Sequence, residues 1–356
     1  MKATFIPETI KVGILIPTYS RLEYLKEALR SAQEQNHENL SILVADDGPG
    51  DSIGDFMRQV ADPRVSYVKN SRNLKICGNI NNGIRLLDPD VSWCTILCDD
   101  DLLAEDFVAR CLDGVAASGA THIIDSRRIF INHKGDVIRL VEPAPPEETA
   151  AGYIRERSTC SRETRLTGIF FSRRGFEEIG GYPMFRTGFL ADDAFIYALS
   201  LRDRLVYRDD ATVFARNHPD AESTTYTSAL ASDIIATMGQ FRDYILDAKP
   251  ETDRPGVETD EGFKKIVYSY GVMTASNYWI HAFHGAIHGK YPGWKDDILH
   301  LGKLAESNKD LLSLYVRVRA WIALRLPLYP ETSVFCRSIW RFIRRLYKSV
   351  SKSMRQ

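Results

Sequence analysis

Short apolar runs alternate with segments of helical spacing, and this alternation constrains the fold of the chain more than any other feature. Residues 12–17, 40–45, 65–68 and 91–98 are apolar runs of strand length. Residues 21–35, between the first two runs, carry apolar side chains at helical spacing. Strands that alternate with helices in this way form a doubly wound, mostly parallel sheet, so the sequence predicts an α/β fold.

Polar residues follow three of these runs at the point where each predicted strand ends. Thr18 follows the first run, Asp46 and Asp47 follow the second, and aspartates 99–101 follow the fourth. Ligands bind to open parallel sheets outside the carboxyl ends of the strands. We therefore expect these side chains to converge on one edge of the sheet and to form a ligand site there.

The aspartate run predicts a metal site that holds substrate phosphates. Buried carboxylates cost several kcal/mol unless they are paired or metal-bound, and hard oxygen ligands favour Mg²⁺ or Mn²⁺. The alternative is a solvated turn or a helix N-cap, which suits Asp99 better than Asp100 or Asp101. Asp46 and Asp47 precede a glycine and also suit a plain turn, although a carboxylate there can bind a nucleobase N–H or a ribose hydroxyl.

Composition and missing motifs exclude several classes of protein. A net charge of −1 over 356 residues gives no strong field for nucleic acid, so no nucleic-acid partner is expected. The six cysteines lack the spacing of zinc sites, which favours reduced and buried thiols. Neither the dinucleotide motif G-x-G-x-x-G after the first run nor the P-loop motif occurs, so a metal and scattered donors must hold any phosphates.

The second half of the chain has further strand patterns first and a mostly helical pattern after them. Residues 123–140 predict a hairpin that turns near residues 133–135, and residues 165–172 predict a further strand. Short helices are predicted at 176–181 and 192–201, a strand is predicted at 211–215, and the chain becomes mostly helical after residue 227.

Several segments together resemble glycosyltransferase family 2 proteins over roughly the first two thirds of the chain. The matching segments are ILIPTYSR at 14–21, LVADDG at 43–48, Asn73 with Asn81 and Gly83, LCDDDL at 97–102, TGIFFS at 167–172, GGY at 180–182 and ADD at 191–193. The resemblance implies a GT-A fold and an inverting transfer of a sugar from a nucleotide-sugar donor.

The resemblance also implies roles for individual residues. The nucleotide-sugar would contact Pro17, Thr18, Tyr19, Arg21, Asp47, Asn73, Asn81 and Asp100. Within that set Asp47 would bind the base and Asp100 the ribose, while Asp101 would bind Mn²⁺ or Mg²⁺ next to the diphosphate.

The general base would be one member of an aspartate pair. Asp193 matches the second residue of the family's Glu-Asp pair, but Asp192 departs from that pattern, so either aspartate remains a candidate. His218 lies where some metal-dependent GT-A enzymes place a metal or diphosphate contact, and a loop histidine without a role is the alternative.

These observations give a predicted domain organisation and partners. Residues 1–226 would form the catalytic domain, with a nucleotide-sugar half at 1–125 and an acceptor half at 126–226, followed by a helical region at 227–356. The expected donor is a UDP-sugar, and the expected acceptor is a glycan or a lipid-linked glycan of a surface polysaccharide. The Gln-x-x-Arg-Trp signature of processive synthases is absent, which favours transfer of a single sugar.

The C-terminal segment bears on where the protein works. The sequence does not begin with the basic and apolar regions of a signal peptide. No apolar run reaches the roughly 18 residues of a membrane-spanning helix, so we expect a cytoplasmic location. Residues 338–356 interleave arginines and lysines with bulky apolar residues and contain no acid. Such a segment suits an anionic membrane surface at the inner face of the cell membrane, or it packs on the protein body.

Two other functions remain open on the sequence alone. A sugar-nucleotide pyrophosphorylase would share the strand order and the metal, but it needs a Gly-rich, basic loop that residues 17–21 do not supply. A non-catalytic nucleotide-sugar-binding module is disfavoured by the intact Asp100, Asp101 and Asp193. The sequence leaves the donor sugar, the acceptor and the linkage undetermined.

Overall fold

The structure, a computed structural model, describes residues 9–158, 161–218, 228–248 and Val267. The strands are β1 Val12–Thr18, β2 Leu40–Asp46, β3 Val65–Lys69, β4 Trp93–Ile96, β5 Leu102–Leu103, β6 Ile123–Ile131, β7 Val137–Leu140, β8 Glu147–Glu148, β9 Ile169–Ser172 and β10 Leu205–Arg216. The helices are α1 Leu22–Gln33, α2 Ser52–Met57, α3 Lys75–Leu86, α4 Phe107–Ser118, α5 Ala150–Ser158, α6 Arg173–Glu178, α7 Ala191–Ser200 and α8 Ser228–Asp247.

Ten strands of the described residues form one sheet: eight follow the order β3-β2-β1-β4-β9-β6-β10-β5, and β7 and β8 pair with β6 and β10 respectively. The four strands β3, β2, β1 and β4 run parallel to one another, and β6 is parallel to β10. Strand β9 runs antiparallel between β4 and β6, and β7 pairs with β6 as the predicted hairpin. The predicted α/β class with a doubly wound, mostly parallel sheet is confirmed.

The core lies against the faces of the central strands. All seven residues of β1 are buried, as expected for an interior parallel strand that is covered on both faces. Helix α1 is amphipathic and buries Leu25, Ala28, Leu29 and Ala32 in the same apolar cluster as Ile14 and Ile16 of β1. Each fully buried leucine or isoleucine in this cluster contributes about 1.5–3 kcal/mol to folding.

The register of the strands brings their carboxyl ends to one edge, which we call the carboxyl edge. Thr18 at the end of β1 is paired with Asp46 at the end of β2. Beyond β4, the Leu97 N–H still donates to the Leu15 carbonyl, so the aspartate run begins level with the end of β1. The sequence prediction that the polar strand ends converge is confirmed.

Some element boundaries differ from the sequence prediction. The sequence of residues 56–60 predicts a helix there, whereas α2 spans Ser52–Met57, because Ile53 and Met57 face the core one turn apart. Strand β4 stops at Ile96, well before the predicted end at Cys98. The Cys98 N–H donates to the Thr167 hydroxyl, so side-chain bonding replaces the strand ladder there.

The chain divides into two compact units. Among the described residues, the first unit holds residues 9–153, 163–218 and 248, and the second holds 154–158, 161–162, 228–247 and 267. In the second unit, α8 buries Phe241 and Ile245. The predicted division after residue 226 stays a prediction, and most of the predicted helical region lies outside the described residues. Within the described part of the chain, no helix has the length and apolarity needed to cross a membrane.

Candidate functional site

The loops after β1 and β2 are packed tightly together at the carboxyl edge. The Asp47 N–H donates to the Thr18 carbonyl at 2.9 Å, and Pro17 and Thr18 are buried at the end of β1. A Cβ at Gly48 would lie 1.7 Å from the Tyr19 carbonyl oxygen, so only glycine fits there. The Tyr19 side chain is 48% exposed, and it therefore offers an aromatic ring beside the end of the sheet.

This close approach gives a prediction about stability. We expect Gly48→Ala to lower the free energy of unfolding by at least about 3 kcal/mol, because its methyl group collides with a main-chain atom and not with a mobile side chain. Gly50→Ala is the matched control, since a Cβ there meets nothing within 4 Å. Urea titration of both variants measures the difference, and equal stability of the two would contradict the packing described.

Asp46 is a structural residue at this edge. It is fully buried, and its Oδ1 accepts from the Gly48 N–H at 2.8 Å. Its Oδ2 accepts from the Tyr67 hydroxyl at 2.9 Å and from Lys69 Nζ at 3.0 Å. Because protein donors occupy both oxygens, Asp46 closes the β2 turn and offers little to a ligand.

Asp47 is more open to a ligand than Asp46. Its Oδ1 accepts from the Leu74 N–H at 2.8 Å and from Asn70 Nδ2 at 3.0 Å. Among the described residues, both hydrogen bonds to the Asp47 carboxylate go to Oδ1. Asn73, the next residue predicted to contact the donor, folds its Oδ1 back onto the Lys75 N–H at 2.8 Å and is exposed to solvent. Asp47 thus fixes the loop that presents Asn73.

Asn81 is used differently from the other predicted residues. Its Oδ1 accepts from the Tyr182 N–H at 2.9 Å, and its Nδ2 donates to the Tyr182 carbonyl at 2.8 Å and to the Cys77 carbonyl at 3.0 Å. Asn81 is buried and its amide is occupied by backbone groups, so it holds the turn around Tyr182 in place. A nucleotide contact through Asn81 is the least supported of the predicted contacts.

The first two aspartates of the run join a network with the end of β1. Asp99 Oδ2 accepts from the Thr18 hydroxyl at 2.7 Å, and Asp99 Oδ1 accepts from Arg21 at 2.6 Å. Asp100 Oδ2 accepts from Arg21 at 3.0 Å and lies 2.9 Å from His218 Nε2. Arg21 therefore bridges the two carboxylates, and the structure brings His218 to the aspartate run as predicted.

Asp101 is buried beside the predicted metal site. Its Oδ1 accepts from the Arg216 N–H at 2.7 Å, and the Thr167 side chain also hydrogen-bonds to it. Burial, and next the charge of Asp100, raise the pKa of Asp101 to about 7. Two neighbouring carboxylates that disfavour joint ionisation in this way would be stabilised by a cation between them.

The donor set fits a hard divalent cation. Ligand atoms of Cys98, Asp100 and Asp101 lie within 4.8 Å of one another. Burial raises the pKa of the Cys98 thiol well above its ordinary value, so this sulfur stays protonated and is a poor ligand. His218 is buried, and its Nδ1 has no partner among the described residues. Two carboxylates and an imidazole suit Mg²⁺ or Mn²⁺ better than a soft metal.

The predicted general-base pair lies in the first turn of α7. Asp193 is buried and its Oδ1 accepts from the Tyr153 hydroxyl at 2.6 Å, whereas Asp192 is half-buried and accepts the Asp193 N–H at 2.9 Å. Leu190, just before the helix, has a left-handed φ of 60°. Burial, and next the charge of Asp192, raise the pKa of Tyr182, whose hydroxyl therefore lies within electrostatic reach of the pair.

Three residues at the site escaped the sequence analysis as functional candidates. Arg216 ends β10 and binds Asp101, Thr167 contacts Cys98 and Asp101, and Tyr153 contacts Asp193. Arg216 stands two positions before His218, and this was the one sequence signal that pointed to it.

Comparison with known proteins identifies the fold and the family. Residues 13–180 match the sequence model of the family described as "Glycosyl transferase family 2". Residues 13–180 form a glycosyltransferase family 2 domain. The match includes Thr18, Asp47 and the aspartate run, and it ends before Asp192, Asp193 and His218.

Two curated relatives are bacterial sugar transferases by their names. The GalNAc(5)-diNAcBac-PP-undecaprenol beta-1,3-glucosyltransferase of Campylobacter jejuni is 31% identical over 169 residues, which is 46% of this chain and 50% of that protein. Abequosyltransferase RfbV of Salmonella typhimurium is 35% identical over 104 residues, 28% of this chain and 30% of that protein. The chain thus spans half or less of the length of these relatives.

A solved structure confirms the GT-A type of fold. S. aureus TarS 1–349 in complex with UDP-GlcNAc superposes with a TM-score of 0.62 at 14% identity, covering 91% of this chain and 92% of that chain. At this identity the likeness concerns the fold alone.

Proposed function

We propose that this family 2 glycosyltransferase transfers a single sugar from a UDP-sugar to a glycan or lipid-linked acceptor, with inversion at the anomeric carbon and with a bound Mn²⁺ or Mg²⁺. The observation that carries the proposal is the network of Thr18, Arg21 and residues 99–101 with His218 at the carboxyl edge. A nucleoside diphosphate requires hydrogen-bonding groups for its polar atoms and a cation for its phosphates. The network has hydrogen-bonding groups beside a site that suits a divalent cation.

The donor would lie across the ends of β1 and β2. Asp47 accepts its protein hydrogen bonds at Oδ1, and a carboxylate in that position can accept a base N–H at its other oxygen. The exposed ring of Tyr19 can stack on the base, and Asp100 can accept from a ribose hydroxyl. UDP is favoured as the nucleotide because the superposed TarS complex contains UDP-GlcNAc.

Asp100 and Asp101 would hold the metal, with His218 beside them. When bound, the cation supplies positive charge that stabilises the departing diphosphate. Thr167 and the Arg216 N–H keep the Asp101 carboxylate oriented, and Arg21 limits the repulsion between Asp99 and Asp100.

Asp193 would act as the general base. Its carboxylate would take the proton of the acceptor hydroxyl while the hydroxyl oxygen attacks the anomeric carbon. The bond from that carbon to the diphosphate oxygen breaks on the opposite face, and the nucleoside diphosphate leaves with the electron pair. This single displacement inverts the anomeric configuration. The half-buried Asp192 remains the alternative base.

The acceptor and the membrane contact are proposed from a relative's name and from the amino-acid sequence. The Campylobacter relative acts, by its name, on an undecaprenol-linked glycan, which supports a lipid-linked acceptor for this chain. An acceptor of that kind would place the enzyme peripherally at the inner face of the cell membrane, in the cytoplasm. Residues 338–356, which would bind an anionic membrane surface, lie outside the described residues, so that contact stays a prediction.

A thermal-shift series tests the donor. We expect a UDP-sugar with Mn²⁺ to raise the melting temperature by several degrees, because a ligand at about 100 times its Kd stabilises the native state by about 2.7 kcal/mol. The same sugar without metal should give a smaller shift. Asp47→Asn should reduce the shift for UDP and UDP-sugars alike.

Three outcomes of this series would contradict parts of the proposal. A larger shift with a GDP- or dTDP-sugar would overturn the choice of UDP. A shift that is independent of metal would overturn the metal assignment. Conversion of UDP-GlcNAc and pyrophosphate to UTP and a sugar 1-phosphate, without sugar transfer to any lipid-linked acceptor, would favour the pyrophosphorylase alternative.

A further inference from the structure

The Arg216 side chain links four parts of the carboxyl edge. Its side chain is 1% exposed, and its Nε donates to the Asp100 carbonyl at 2.8 Å. One terminal nitrogen donates to the His133 carbonyl at 3.2 Å, and the other donates to Glu27 Oε2 at 2.5 Å. The guanidinium also lies over the Tyr24 ring, 4.9 Å from its centre.

These contacts join segments that are far apart in sequence. Glu27 and Tyr24 lie on α1, Asp100 lies in the aspartate run, and His133 lies in the turn between β6 and β7. A buried arginine is costly unless its donors are all used, and here each of the three nitrogens has an oxygen partner. The planar, forked guanidinium is suited to holding several acceptors in fixed directions, which the point charge of a lysine cannot do.

Arg216 also contacts Asp100 and Asp101, the two carboxylates that would hold the metal in the proposed function. Its own N–H orients Asp101, and its side chain holds the main chain of Asp100. His218, two residues further along, packs its ring 4.7 Å from the same Tyr24 ring and contacts Asp100 Oδ2. The guanidinium and the imidazole are therefore held on one aromatic ring and against one aspartate.

We propose that Arg216 is a positioning residue that fixes Asp100, Asp101 and His218 in the geometry that binds the metal. The inference rests on the metal-dependent function proposed above. Groups that orient metal ligands from behind typically change metal affinity 10- to 100-fold when they are removed. Arg216 touches no reacting atom in this assignment, so its effect should appear first in metal affinity.

The test measures Mn²⁺ binding directly, by electron paramagnetic resonance of the full chain in the presence of UDP. We expect Arg216→Met to weaken Mn²⁺ binding 10- to 100-fold. Arg216→Lys keeps the charge but loses the fork and should fall between Arg216→Met and the wild type. Glu27→Gln weakens one of the hydrogen bonds of the Arg216 guanidinium, at a half-exposed position. It should therefore lower the Mn²⁺ affinity by less than Arg216→Met does.

Arg173→Met is the matched control. Arg173 also donates to two main-chain carbonyls, those of Leu87 and Asp88, and pairs with Glu177. It follows β9 at the opposite edge of the sheet, next to the start of β4. Arg173→Met should lower the free energy of unfolding, as Arg216→Met does, because buried hydrogen bonds to main-chain carbonyls are lost. It should leave the Mn²⁺ affinity within about twofold of the wild type.

The outcomes separate this inference from the proposed function. If the wild type binds Mn²⁺ and a folded Arg216→Met variant binds it with unchanged affinity, only the role of Arg216 is overturned. An equal loss in Arg173→Met also overturns it, because the effect would then be general destabilisation. Wild type that binds UDP but no Mn²⁺ overturns the metal-dependent function and this inference together. If Arg216→Met does not fold, the Lys and Glu27→Gln variants decide by the same criterion.

Discussion

Asp101→Asn is expected to lower sugar transfer on the order of 1,000-fold and to abolish the metal-dependent part of nucleotide binding. A bound cation contributes several kcal/mol of charge stabilisation to the leaving group, and each 1.36 kcal/mol corresponds to a factor of ten in rate. The amide keeps an oxygen that can accept the Arg216 N–H, so the loop should hold its shape while the negative charge is lost. Initial rates with Mn²⁺ and calorimetry with UDP measure both effects.

The stability of the same variant distinguishes loss of metal from loss of fold. Burial raises the pKa of Asp101 to about 7, which means that the ionised carboxylate is disfavoured in the metal-free protein. Its replacement by a neutral amide should therefore leave the metal-free melting temperature unchanged or raise it. Asp88→Asn, which removes a carboxylate paired with Lys11 at the other end of the sheet, should keep full activity. Undiminished transfer by the wild type in excess chelator would show that no metal is needed.

The sequence was informative where local pattern decides structure. Strands β1 and β2 are continuous apolar runs that end in Thr18 and Asp46, because an interior parallel strand must bury both faces and can become polar only where it ends. The same rule located the aspartate run. Boundaries were less predictable where a tertiary contact ended an element, as the Thr167 hydroxyl does after β4.

The structure separates residues that look equivalent in sequence. Asp46 and Asp47 are adjacent acids at a strand end, yet Tyr67 and Lys69 from the neighbouring strand occupy Asp46. That difference depends on the pairing of β2 with β3, which is not encoded near the two aspartates. Arg216 shows the same limit, because its partner Asp101 is 115 positions away in sequence and only the fold brings them together.

Asp193→Asn is expected to lower the turnover number about 100- to 10,000-fold while leaving donor binding intact, because the variant removes only the ability to accept a proton. Asp193 lies in the first turn of α7, outside the network that would bind the nucleotide, so the Kd for UDP should change by less than about twofold. Single-turnover rates and calorimetry with UDP and Mn²⁺ separate the two quantities.

Two further variants decide between the neighbouring aspartates. Tyr153 donates to Asp193 Oδ1 at 2.6 Å and so holds that carboxylate in one orientation. If Asp193 is the base, Tyr153→Phe should lower the turnover number and leave the Kd for UDP unchanged, because the carboxylate loses the donor that orients it. Asp192→Asn should then retain most activity, since its carboxylate serves to accept the Asp193 N–H.

An inactive Asp192→Asn beside an active Asp193→Asn would assign the base to Asp192. In that case the buried Asp193 and Tyr153 would support the first turn of α7, and the acceptor hydroxyl would approach the more exposed of the two carboxylates.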